Sequence, residues 1–101
     1  MFGLEPDTIE KIKQVFATFT NIEKVVLYGS RAKGNYRKGS DIDISLLGEN
    51  LTLNNSIYPI DEKLEELNLS YTFDISIFSQ IDNEDLKEHI QRVGKVFYQK
   101  N

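Results

Sequence analysis

An α+β fold, a small mixed β-sheet backed by helices, is what the sequence predicts, and three observations carry that prediction. Two segments, 41–46 and 71–78, alternate apolar and polar residues with the period of a strand. Three others place apolar residues three and four apart, as a helix does. The order α, β, loop, β, α, β, α contains no internal repeat and no low-complexity linker, so residues 1–101 read as one domain.

Pro6-Asp7-Thr8 opens the first helix, which Ile9, Ile12, Phe16 and Phe19 extend over about residues 7–20. Val25-Val26-Leu27-Tyr28 is a short buried strand cut off by Gly29-Ser30. Residues 34–40 are rich in turn formers and form a loop. In the next strand Asp41, Asp43 and Ser45 leave one face, and Ile42, Ile44 and Leu46 the other. After Gly48 an irregular connection over 49–55 precedes a second helix, with Ile57, Ile60, Leu64 and Leu67 on its apolar stripe and Pro59 near its start. A third strand sets Phe73, Ile75 and Ile77 opposite Thr72, Asp74, Ser76 and Phe78. Asp82 or Asn83 caps a last helix running to about Arg92, and Gly94 ends it. Val96-Phe97-Tyr98 is then an edge strand or a docking tail.

Composition narrows the function. There is no cysteine, which removes disulfides, thiolate metal sites and cysteine nucleophiles. The chain lacks a long apolar run and opens without the charged start and apolar stretch of a secretion signal, so a soluble cytoplasmic protein with no membrane partner is expected. Sixteen acidic against 12 basic residues, a net charge of −4, argue against stable nucleic-acid binding over a broad surface. The positive charge is local: Arg31, Lys33, Arg37 and Lys38 fall in one stretch without an acid, a patch suited to a phosphate-bearing small molecule or simply a solvated turn.

The chemistry points to three acids. Asp41 and Asp43 lie about 6.6 Å apart along a strand and share a face, so their oxygens can converge on one or two divalent ions. Asp-x-Asp alone also fits a solvated strand end. Asp74, on the mixed face of another strand, joins them if the two strands are neighbours. Oxygen ligands without His or Cys suit Mg2+, with Mn2+ as the alternative, and a two-ion site of that kind serves phosphoryl or nucleotidyl transfer. Gly29-Ser30 lets the backbone turn sharply, aims N–H groups at an anion and adds a hydroxyl. Arg31 and Lys33 either touch phosphate or form a mobile rim. Ser40 fits a loop-capping role better than a nucleophile's, Lys38 a surface ion pair, and His89 surface or interface packing.

Tyr28-Gly29-Ser30, the run from Gly29-Ser30-Arg31-Ala32-Lys33-Gly34 to Lys38-Gly39-Ser40-Asp41-Ile42-Asp43-Ile44, and Phe73-Asp74-Ile75 together resemble the minimal nucleotidyltransferases of the DNA polymerase beta-like superfamily. The resemblance spans nearly the whole chain. It implies that fold, and ATP with Mg2+ as the bound pair. It also implies phosphate binding by Gly29 and Ser30, with Arg31 and Ser40 in support. Asp41, Asp43 and Asp74 would be metal-binding catalytic acids, with Asp74 assisting deprotonation of a hydroxyl acceptor. Such proteins resemble antitoxins paired with small helical HEPN proteins, so a HEPN partner, AMP transfer to its tyrosine and a homo- or hetero-oligomer are the implied setting. Two other readings use the same residues: a noncatalytic antitoxin or adaptor that neutralises a partner by complex formation, and a phosphohydrolase.

Overall fold

The alternating segments assemble into one four-stranded sheet in the computed structural model, which describes all 101 residues. Pro6 sets the first turn of α1 (Pro6–Ala17), and Ile12, Val15 and Phe16 form its buried stripe. The helix ends short of residue 20 because the Thr18 hydroxyl donates back to the Val15 carbonyl at 2.7 Å, and turns through Phe19 lead into the sheet.

β1 (Ile22–Tyr28) starts earlier than its apolar run, since pairing with a neighbour carries it back to Ile22. After Gly29 comes a single helical turn, α2 (Ser30–Lys33), and after the loop β2 (Ile42–Gly48). The connection expected to be irregular contains a π-helical turn, Leu53–Ile57, opened by reciprocal Thr52 and Asn55 hydrogen bonds of 3.0 and 2.9 Å. α3 (Tyr58–Glu66) follows directly and buries Ile60 and Leu64. β3 (Phe73–Ile77) leads through a 3-10 turn to α4 (Glu84–Val93), whose first turn is capped by the Asn83 side chain accepting from Leu86 N at 3.1 Å. β4 (Lys95–Gln99) settles the choice at the C-terminal end in favour of an edge strand.

The strand order is β3-β2-β1-β4, with β2 and β3 parallel and the other pairs antiparallel, the mixed sheet that the sequence predicts. Register assigns the two faces. Val25 pairs with Leu46 and Leu27 with Ile44, which in turn lies beside Ile75; these residues form the face packed under α1 and α3. Phe16, fully buried, meets Phe97 of β4 edge-on at 6.2 Å between ring centres. The opposite face carries Val26, Ser45 and Ser76 in one row and Tyr28, Asp43 and Asp74 in the next. α4 covers one end of it, with His89 edge-on to Tyr28 and Gly94 against Val26. No helix is long and apolar enough to cross a membrane.

Candidate active site

The acids lie on the face that α1 and α3 leave uncovered. Asp43 and Asp74 are direct partners across the parallel β2–β3 pair, so their side chains project side by side from strands about 4.8 Å apart. Asp41 stands one residue before β2, exposed, and its carboxylate accepts a hydrogen bond from the Thr72 hydroxyl. Asp43 and Asp74 therefore meet as expected, whereas Asp41 is drawn toward the entrance of β3. No three acidic or histidine side chains form a closed cluster.

Gly29 is required here on two counts. It turns the chain from β1 into α2 at φ +77, in the left-handed region, and a Cβ at this position would lie 2.3 Å from Asp43 Oδ2. The backbone thus comes directly against one of the acids, with Ser30 next to it at the start of α2.

Burial holds the Asp43 carboxyl above the ordinary aspartate value of 3.8, and the charges of Asp74 and then Asp41 push it further the same way. Burial also raises Tyr28; the adjacent Ser76 hydroxyl opposes that shift, and Asp74 and Asp43 add to it. The Asp43 shift carries a sign. Between 3.8 and the raised folded value, the folded chain binds more protons than the unfolded one, so stability falls as pH rises through that window. Above the window the cost of the ionised carboxylate is complete. Asp43→Asn should accordingly raise the melting temperature of the metal-free chain at pH 7 and flatten its pH dependence just above 3.8 relative to the parent. Calorimetric melts across pH check this, and a variant that melts lower than the parent at pH 7 contradicts it.

The supporting residues are placed as follows. Arg31 is only 3% exposed, and its guanidinium donates to the carbonyls of Ser40 and Phe2 instead of standing open to a phosphate. The Ser40 hydroxyl accepts from Arg37 N at 2.8 Å, the loop-capping arrangement expected of it. Lys33 and Lys38 are exposed and form no ion pair; the two ion pairs present, Lys11–Asp7 and Arg92–Glu88, lie on helices α1 and α4.

The family description "Polymerase beta, Nucleotidyltransferase" matches residues 10–101. The chain belongs to the polymerase beta nucleotidyltransferase family. Three solved structures are similar to this nucleotidyltransferase in fold. One is a toxin-antitoxin with AMP-PNP, at 20% identity and TM-score 0.75, covering 92% of this chain and 74% of the other. Another is the toxin-antitoxin MntA-HepT, at 18% identity and TM-score 0.70, covering 95% and 74%. The third is a tri-AMPylated Shewanella oneidensis HEPN toxin in complex with its MNT antitoxin, at 17% identity and TM-score 0.70, covering 96% and 74%. No curated protein matches the chain in sequence.

Beside the acids stand residues that the sequence alone does not single out. Thr72 holds Asp41, and Ser76 donates to Ser45 at 3.0 Å behind the acids, where Ser45 is fully buried. Thr72 and Ser76 flank Asp74 at a spacing of two, so strand alternation puts all three on one face, but their partners follow only from the β2–β3 register. The donor set fits Mg2+. Two adjacent carboxylates with a third nearby offer only oxygen, and this ion takes one or two carboxylates and completes its shell with water and phosphate oxygens.

Proposed function

We propose that this nucleotidyltransferase moves AMP from ATP, with Mg2+, onto a hydroxyl presented by a second protein, a tyrosine of a helical HEPN toxin, and so acts as its antitoxin. The observation that carries the reading is the side-by-side placement of Asp43 and Asp74 with the Gly29-Ser30 turn against Asp43. Support for the partner comes from the similar folds of antitoxin chains in toxin complexes, one containing AMP-PNP and one an AMPylated HEPN toxin.

Asp41, Asp43 and Asp74 would hold the metal, and the Gly29 and Ser30 backbone with the Ser30 hydroxyl would receive the terminal phosphates. The chemistry that Mg2+, or Mn2+ in its place, supplies when bound is neutralisation of phosphate charge and a lowered pKa for the acceptor hydroxyl. Asp74, the most exposed of the facing pair, accepts the acceptor's proton. The acceptor oxygen forms its bond to the α-phosphorus as the bond to the bridging oxygen breaks, and pyrophosphate leaves with that electron pair. Asp43 is half-buried beside Asp74 and against the Gly29 turn, so the chain contributes placement of the reactants and fixed charge, two large sources of rate in such a step.

The acids lie on an open surface, with Asp41 and Asp74 exposed, so a second chain has to wall off the acceptor from water. The net charge of −4 disfavours a nucleic acid in that role. We place the reaction in the cytoplasm, where ATP and Mg2+ are both supplied.

Incubating the copurified partner with each nucleoside triphosphate and Mg2+ should add the mass of AMP to a partner tyrosine, with ATP the preferred donor, as read by intact-mass and peptide mass spectrometry. Release of free nucleotide with no mass gain would instead mark a phosphohydrolase. The alternative, neutralisation by complex formation without chemistry, draws on the lack of a closed three-acid cluster. It predicts that a chain with Asp43→Asn still silences the partner in cells.

A further inference from the structure

We infer that Arg31 is the positioning residue of this site: its buried guanidinium fixes where β2 and β3 begin, and through them the carboxylates of Asp41, Asp43 and Asp74. What those carboxylates do rests on the function proposed above; how they are held rests on the contacts of Arg31. Each of its three nitrogens donates to a main-chain carbonyl. Nε and one terminal nitrogen bond Ser40 O at 3.1 and 2.9 Å, and the other terminal nitrogen bonds Phe2 O at 2.8 Å. The guanidinium carbon lies over the rings of Tyr36 and Tyr71, 5.3 and 4.9 Å from their centres. No carboxylate pairs with it.

A cation buried in this way is stabilised by carbonyl dipoles and aromatic faces alone, which demands exact placement of all of them. Their positions in the chain give the contacts a function. Ser40 immediately precedes Asp41. Tyr71 immediately precedes Thr72, whose hydroxyl bonds Asp41 and whose carbonyl accepts from Ile42 N at 2.9 Å. Arg31 itself follows Ser30 in α2. One side chain therefore joins the phosphate turn, the start of the Asp41–Asp43 strand, the start of the Asp74 strand and the N-terminal turn at Phe2. A residue that gripped phosphate would need donors facing outward, whereas Arg31 is buried and three of its five N–H groups bond main-chain carbonyls. Lysine cannot take its place, because a single ammonium has no planar fork to span the Ser40 and Phe2 carbonyls.

The test is a calorimetric titration with Mn2+, without nucleotide, of the parent chain and Arg31→Lys, with folding checked by circular dichroism and a cooperative melt. The folded variant should bind Mn2+ about 10- to 100-fold more weakly, as expected when a group supporting metal ligands is removed. Its kcat should fall while KM for ATP stays within about twofold. Parental Mn2+ affinity in folded Arg31→Lys, or a rise in KM alone, would overturn the proposal and return Arg31 to phosphate binding. A parent chain that binds no Mn2+ would instead sink the functional reading. Should Arg31→Lys not fold, the parent decides by nuclear magnetic resonance. The Arg31 Nε–H should be protected from exchange and keep its resonance when Mg2+ and a nonhydrolysable ATP analogue are added; rapid exchange, or a displaced resonance, overturns the assignment.

Discussion

Exchanging Asp43 for Asn should lower nucleotide transfer about 10^2- to 10^3-fold while leaving a folded chain, because it removes the carboxylate that pairs across the β2–β3 register with Asp74 and lies against the Gly29 turn. The size follows from its position. Asp43 is the central member of the row Tyr28, Asp43, Asp74, and it alone touches both the neighbouring acid and the glycine turn. Asn keeps the shape and removes the charge, so packing against Gly29 is preserved and the loss is electrostatic. The same exchange at Asp41 or Asp74 should also remove transfer. Labelled ATP, Mg2+ and purified partner give the rate, and transfer that survives Asp43→Asn contradicts the assignment of the acids.

Gly29→Ala should be the other severe change, and it acts through geometry. An alanine at φ +77 carries a backbone strain of about 1–3 kcal/mol. Its Cβ also meets Asp43 Oδ2 at 2.3 Å, so the carboxylate has to move. Misplacing a reacting group by about 1 Å costs on the order of 10^2-fold in rate, which sets the expected loss of transfer. The two contributions separate in a double-mutant cycle. With Asp43→Ala in the background, the clash is gone and Gly29→Ala should cost only its backbone strain in urea unfolding. An equal stability cost in both backgrounds would show that Asp43 does not press on Gly29.

The parts of this site legible in the sequence are those that depend on local pattern. Asp41 and Asp43 are two apart on an alternating segment, and Gly29-Ser30 interrupts an apolar run, so neither needs knowledge of the rest of the chain. Asp74 is legible only conditionally. Its meeting with Asp43 requires β2 and β3 to pair in parallel, and that pairing depends on α3 crossing between them over the core. The role of Arg31 lies further out of reach. In the sequence it is one of four cations in a basic stretch, and its side-chain partners come from the N-terminal turn at Phe2 and from Tyr71 beyond α3. Burial of a charge is decided by which carbonyls and rings the fold gathers around it, and no local pattern encodes that. The end of α1 failed for a smaller reason of the same kind: apolar spacing continues to Phe19, but the Thr18 hydroxyl competes for the last turn.

The central claim is that the acids on β2 and β3 form a divalent-cation site beside the turn after β1. Adding substoichiometric Mn2+ to the isotopically labelled chain tests it directly, since the paramagnetic ion broadens amide resonances close to where it binds. Broadening should centre on Asp43, Asp74, Gly29 and Ser30 and disappear in Asp43→Asn. Broadening centred on the acidic surface of α3, around Asp61, Glu62 and Glu65, or a parent chain whose resonances are untouched, would contradict the account.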